Sequence, residues 1–185
     1  MTISTRRGIC AIAVLAAPLA APLNAQGVPL SQRATVTQRV SYTNFEITYS
    51  RPTARGRLLF GGDSTAVVQY GQTWTPGADS ATRISFDKDI VVEGRALARG
   101  EYSIWLIPQA NAPWTVIFNS VSRAIHSPYV GEATDVLRVQ VTPERGTHMD
   151  ALAFYFSVVA RDSTVLRVHW GETMVPIRIR VARGR

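Results

Sequence analysis

The chain carries one cysteine, Cys10, one lysine, Lys88, and three histidines in 185 residues. Cys10 falls in the leader described below, so the remainder of the chain can form no disulfide even where oxidation would allow one. A thiol nucleophile is excluded there for the same reason. No apolar run reaches the roughly 20 residues of a membrane-spanning helix. No Gly-x-Ser-x-Gly elbow occurs, and the glycines from Gly56 to Gly61 lack the Gly-Lys-Ser/Thr that completes a phosphate loop. His126, His148 and His169 lack the close spacing of a zinc helix or finger. Asp87-Lys88-Asp89 with Glu93 has no glycine where a calcium loop would turn, and reads as a solvated hairpin corner. No metal and no cofactor is therefore expected.

What is present begins with the leader. Arg6 and Arg7 give a short cationic start, residues 9–23 are apolar, Ala-rich and uncharged, and the Ala25–Gln26 bond offers a cleavage point. This is a secretory signal-peptide pattern over residues 1–25, with a retained N-terminal anchor as the alternative. The expectation is a periplasmic or secreted protein with no transmembrane span in its mature form. The formal charge is +7, and loss of Arg6 and Arg7 lowers it to +5. Outside the cytoplasm such an excess reads as solubility or attraction to anionic envelope surfaces, so no nucleic-acid partner is expected. The oligomeric state is left open.

The rest of the chain has strand periodicity nearly throughout. Phe45, Ile47 and Tyr49 alternate with Glu46, Thr48 and Ser50, and Val175, Ile177, Ile179 and Val181 alternate with Pro176, Arg178 and Arg180. Residues 102–107, 114–118 and 152–159 are apolar on both faces and read as central strands covered on both sides. Glu93-Gly94 and Arg99-Gly100 are spaced as tight hairpin turns. Residues 26–39 read as a linker and first strand, and residues 40–183 as one domain. The predicted fold is all-β, an antiparallel β-sandwich or jelly roll, with a closed barrel as the competing architecture. Tyr102, Ile104, Trp114, Val116, Phe118, Phe154 and Phe156 are expected in its core. Arg138, Arg167, Arg178 and Arg180 read either as a basic sheet face or as solvated edge charges.

Residues 49–86 break this pattern. Glycines, aromatics and arginines are interleaved there with only two acids, Asp63 and Asp79, as in ordered loops that build sites. Arg51, Arg57, Tyr70, Trp74 and Asp79 form the candidate ligand-binding constellation. Arginine offers a planar fork of donors for carboxylate, phosphate or sulfate, and the aromatic rings offer flat apolar faces. The competing structural reading pairs Arg57 with Asp79 and packs Trp74 into the end of the core. Glu46, Asp63, Asp79, Glu101 and Glu132 are the acids from which a glycosidase pair would have to come.

Tyr49-Ser50-Arg51-Pro52, Gly56-Arg57, Phe60-Gly61, Tyr70-Gly71 with Trp74, Gly77-Ala78, Gly100-Glu101-Tyr102-Ser103, Ile107-Pro108, Trp114 to Asn119 and Trp170 together resemble a bacterial family, domain of unknown function 2911. The resemblance covers roughly residues 40–181. It implies an exported all-β domain and brings no established activity. In that family an arginine and a threonine commonly follow the tryptophan, and then Gly-Ala-Asn; this chain reads Trp74-Thr75-Pro76-Gly77-Ala78-Asp79. The functional expectation is a non-catalytic binding module for an envelope component, a glycan or a small molecule. A carbohydrate-active hydrolase and a structural envelope protein without a ligand are the alternatives.

Overall fold

A computed structural model describes residues 29–182; the signal-peptide expectation, with its cleavage point and Cys10, lies outside them. Among the described residues there are twelve strands and one turn of 3₁₀ helix, at Glu132–Thr134. The larger sheet is β1 (Gln32–Val40), β2 (Thr43–Arg51), β5 (Arg83–Phe86), β8 (Gly100–Ile107), β9 (Trp114–Asn119) and β10 (Asp135–Val141), in that spatial order. The smaller is β11 (Glu144–Val159), β12 (Ser163–Val181), β6 (Ile90–Val92) and β7 (Arg95–Leu97). Both are antiparallel, whereas β3 (Phe60–Gly61) and β4 (Val68–Gln69) form a short parallel pair outside them. Two antiparallel sheets thus pack against each other, bridged through the backbone where Thr53 meets Ala151, and the all-β sandwich architecture expected is the one found.

Alternation explains the core. Phe45, Ile47 and Tyr49 of β2, Tyr102, Ile104 and Leu106 of β8, and Val116 and Phe118 of β9 enter one apolar cluster with Leu152 and Phe154 of β11 and Ile177 and Ile179 of β12. Of the expected core residues only Phe156 is half-buried, packed against this cluster at its margin. The Tyr49 hydroxyl accepts the Phe154 N–H at 3.1 Å and so bonds the two sheets through the core. On β12 the inward face switches from Leu166, Val168 and Trp170 to Val175 and Ile177. Gly171 makes the switch at φ 59, and Leu59 Cδ1 lies 2.7 Å from where a side chain would begin. Only glycine meets both demands.

Two expectations about strands need correction. Residues 152–159 are not a central strand, because β11 is the edge of the smaller sheet and Val158 and Val159 are exposed. The apolar run reflects a long hairpin with β12 that extends beyond the core. Arg99-Gly100 is no hairpin turn, since it carries the chain from β7 in one sheet to β8 in the other. Glu93-Gly94 is one: both residues have positive φ, 46° and 81°, and Val92 pairs with Arg95 across them. This is the two-residue turn whose twist suits a hairpin.

Strands β8 and β9 are covered on both faces, as their composition requires. Their outward Trp105 and Ile117 lie under the loop between β9 and β10, against Ala124, Tyr129 and Val130.

Candidate functional site

The site-like segment after β2 is pinned at both ends. Residues 52–54 continue β2 across to the smaller sheet, where Leu152 N–H donates to the Pro52 carbonyl and Ala54 N–H to that of Asp150. At the other end Trp74 exchanges two backbone hydrogen bonds with Leu106 of β8, at 2.8 and 2.7 Å. The buried Thr75 and Thr82 hydroxyls hold the next loop by donating to the Ile104 and Pro76 carbonyls. Between these anchors the chain makes its corner at Arg55 and Gly56, both at positive φ, 53° and 70°. The corner and the Trp74 loop thus stand side by side at one end of the sandwich.

Arg57 and Trp74 line one depression of about 360 Å³, with Arg55, Trp170, His126 and Val67 on its walls. Trp74 stacks on Trp170 with centroids 5.9 Å apart and planes 15° apart. Arg57 donates through Nε to the Ala54 carbonyl and through Nη2 to that of Thr53, bracing the corner. Arg55 donates through Nε to Thr53 Oγ1. That leaves Nη1 of Arg57 and both terminal nitrogens of Arg55 without a partner among the described residues. The indole N–H groups of Trp105, Trp114 and Trp170 all donate within the chain, to Ser103 Oγ and the Gln109 and Asp150 carbonyls. That of Trp74 has no partner among the described residues. His126 approaches the Asp79 carbonyl with Nδ1 at 3.2 Å, so Nδ1 carries the proton there.

The five expected site residues separate. Arg57 and Trp74 share the first depression, and Tyr70 shares a second, of about 270 Å³, with Arg57 and Trp170. Arg51 points elsewhere: its Nε donates to the Leu152 carbonyl at 3.0 Å and ties β2 to the opposite sheet. Arg57 donates to the Ala54 and Thr53 carbonyls and pairs with no acid among the described residues, which overturns the structural pairing expected between it and Asp79. Asp79 acts through its backbone, at φ 65°, accepting the His126 N–H at 3.3 Å. Residues 79–81 pair with residues 124–126, and this contact brings His126 to the site.

Arg55, His126 and Trp170 were not chosen from the sequence. Arg55 could have been found from its place before a turn glycine, and Trp170 from its presence in the family pattern. No local signal marks His126, because a long-range pairing delivers it.

The acids named for glycoside hydrolysis are dispersed. Asp63 binds the Thr65 hydroxyl and amide, which hold its carboxyl below the usual carboxylate range. Glu101 faces Arg83 and Arg123, and Glu132 faces Arg138. Glu46 lines a separate depression beside Phe45 and Phe86. Glu144 and Glu172 do meet in one depression, of about 470 Å³, but each is ion-paired, to Arg167 and Arg145 respectively. Asp87, Asp89 and Glu93 each accept a different backbone N–H, from Asn44, Arg99 and Arg178. The expected basic sheet face is divided: Arg138 lies on β10, while Arg167 and Arg178 lie on β12 and face acids. His169 is buried on β12, where Nε2 donates to the Thr147 carbonyl and Nδ1 accepts from the Tyr155 hydroxyl.

No helix among the described residues is long and apolar enough to cross a membrane. Comparison with curated proteins and with solved structures returned no match. A family model described as "Protein of unknown function (DUF2911)" matches residues 31–179, and the chain belongs to that family.

Proposed function

We propose that this is an exported, non-catalytic binding module whose site is the depression between the Arg55–Arg57 corner and the Trp74–Trp170 stack. Its ligand is a small molecule or envelope component carrying an anionic group beside a flat apolar face. The observation that carries this reading is the set of groups turned over to the site. Arg55, Arg57 and the Trp74 indole retain N–H donors without partners among the described residues, and no carboxylate among them lines the depression. A donor-rich, acid-free surface favours carboxylate or phosphate oxygen, and arginine binds these with two parallel hydrogen bonds. The half-buried Trp74 ring provides the apolar face.

The test is thermal shift of the purified protein with galacturonate, benzoate, inorganic phosphate and, as a neutral control, glucose. A ligand at 100 times its dissociation constant adds about 2.7 kcal/mol to stability. Stabilisation by the acids and not by glucose, lost in Arg57→Ala, supports the reading. Stabilisation by none of the acids, or unchanged in Arg57→Ala, contradicts it.

A further inference from the structure

The first depression does not end at Trp170. Arg57 and Trp170 also border the second, and Tyr70, Glu172 and Thr173 of the second border the third. The three form one track across the end of the sandwich. Three half-buried rings border it in turn: Trp74 in the first depression, Phe60 in the second, and Tyr70 in the second and third. Phe60 lies 5.8 Å from Trp74 and is backed by the buried Trp170 and Trp114, at 6.2 and 4.9 Å. Polarity changes along the track. Arg55, Arg57 and His126 stand at one end, whereas Glu144, Glu172, Arg145 and Asn111 at the other offer acceptors as well as donors.

We infer that the track binds a linear oligosaccharide bearing one terminal sugar carboxylate, with that carboxylate at the Arg55–Arg57 end and further, neutral rings running past Tyr70 towards Trp114. The inference rests on the binding reading above and adds the length and class of the ligand. Sugar rings have flat apolar faces that pack on aromatic side chains, and hydroxyls that both donate and accept. A single anion would use only the first depression. A peptide adding as a further strand is the less suited occupant, because that mode needs free N–H and C=O groups at a sheet edge. Here the adjoining backbone is already paired. Trp74 bonds Leu106 in both directions, Tyr70 N–H donates to Gly61, and Gly171 and Thr173 lie in the ladder with β11.

The experiment is calorimetric titration of the protein with galacturonate, with oligosaccharides of two to four residues in which one terminal galacturonate is linked to neutral sugars, and, for comparison, with triglutamate. Affinity is expected to rise at least tenfold from monomer to trimer and then level off. The double variant Tyr70→Ala/Glu172→Gln should bind the trimer no better than the monomer while keeping monomer affinity, with its thermal melt confirming a folded protein. Equal affinity for monomer and trimer overturns the track and leaves the single anion site standing. Benzoate or phosphate binding without any galacturonide does the same. Triglutamate binding as tightly as the trimer overturns the class of ligand in favour of a peptide. Failure of every anion, monomer included, removes the binding reading itself.

Discussion

Arg138 on β10 and Arg57 at the corner after β2 carry the same guanidinium in opposite surroundings. Arg138, a third exposed, is engaged on every side by its own chain: Nε donates to Asp135 at 2.7 Å, and Nη2 reaches Glu132 at 2.9 Å and the Tyr129 hydroxyl at 3.5 Å. Asp135 is itself 7% exposed and also accepts from Asn119 and from Tyr129. Burial alone pulls the Arg138 guanidinium down, but the hydrogen bonds it donates to Asp135 and Tyr129 outweigh this and hold the group above its ordinary value. Arg57 meets only backbone carbonyls and keeps donors in reserve. One arginine completes a closed network and fastens a loop over Trp105; the other is braced but chemically unsatisfied. A buried charge is tolerated when every partner is present. A charge left half-used on an aromatic wall is what recognition of an outside anion requires.

Core packing sets the upper end of the scale against which both clusters are measured. Phe118 has no exposed surface and lies in the cluster shared by the two sheets. Phe118→Ala should cost about 3–5 kcal/mol in urea unfolding. A loss under about 1 kcal/mol would mean that β9 does not face the core.

Asp135→Ala should come next, at about 2–4 kcal/mol, because it strands Asn119, Tyr129 and Arg138 together. Loosening of the loop between β9 and β10 should accompany it, visible as faster amide exchange in that loop. An effect no larger than that of a surface substitution would erase the distinction between the clusters.

Tyr129 sharpens the comparison through pH. Burial first, and then its hydrogen bond to Asp135, raise its phenol above the ordinary value; burial and the Asp89 charge do the same for Tyr102. The folded state therefore keeps protons that the unfolded chain begins to lose near about pH 10. The stabilisation is complete below that pH and is lost as pH rises through the folded-state values. Tyr129→Phe should cost about 1 kcal/mol at neutral pH. It should also flatten, without abolishing, the alkaline fall in urea midpoint, since Tyr102 remains. An unchanged alkaline slope would show that Tyr129 is not held as described.

The two clusters were unequally legible in the sequence. Strand alternation at Phe45, Ile47 and Tyr49, and the turn residues Glu93-Gly94, were readable because neighbours along the chain determine both. The nearness of Arg57 to Trp74 was readable because one glycine- and aromatic-rich segment carries both. Arg51 and Asp79 misled because their surroundings come from distant strands: the Leu152 carbonyl reaches Arg51, and residues 124–126 use the Asp79 backbone. His126 arrives by that same pairing. The Asp135 network joins Asn119, Tyr129 and Arg138 from three segments, and no spacing announces it.

The smallest expected effect on stability is also the most direct test. Arg57→Ala should lower unfolding stability by about 1 kcal/mol or less, since an exposed side chain and two bonds to carbonyls are lost. Urea titration of wild type and Arg57→Ala, each with and without saturating galacturonate, measures stability and ligand linkage together. The expected result is near-equal stability without the acid, and an acid-dependent gain in the wild type alone. A loss of about 3–5 kcal/mol without the acid, the range for breaking a buried pair, would contradict the open site and make Arg57 a structural residue like Arg138.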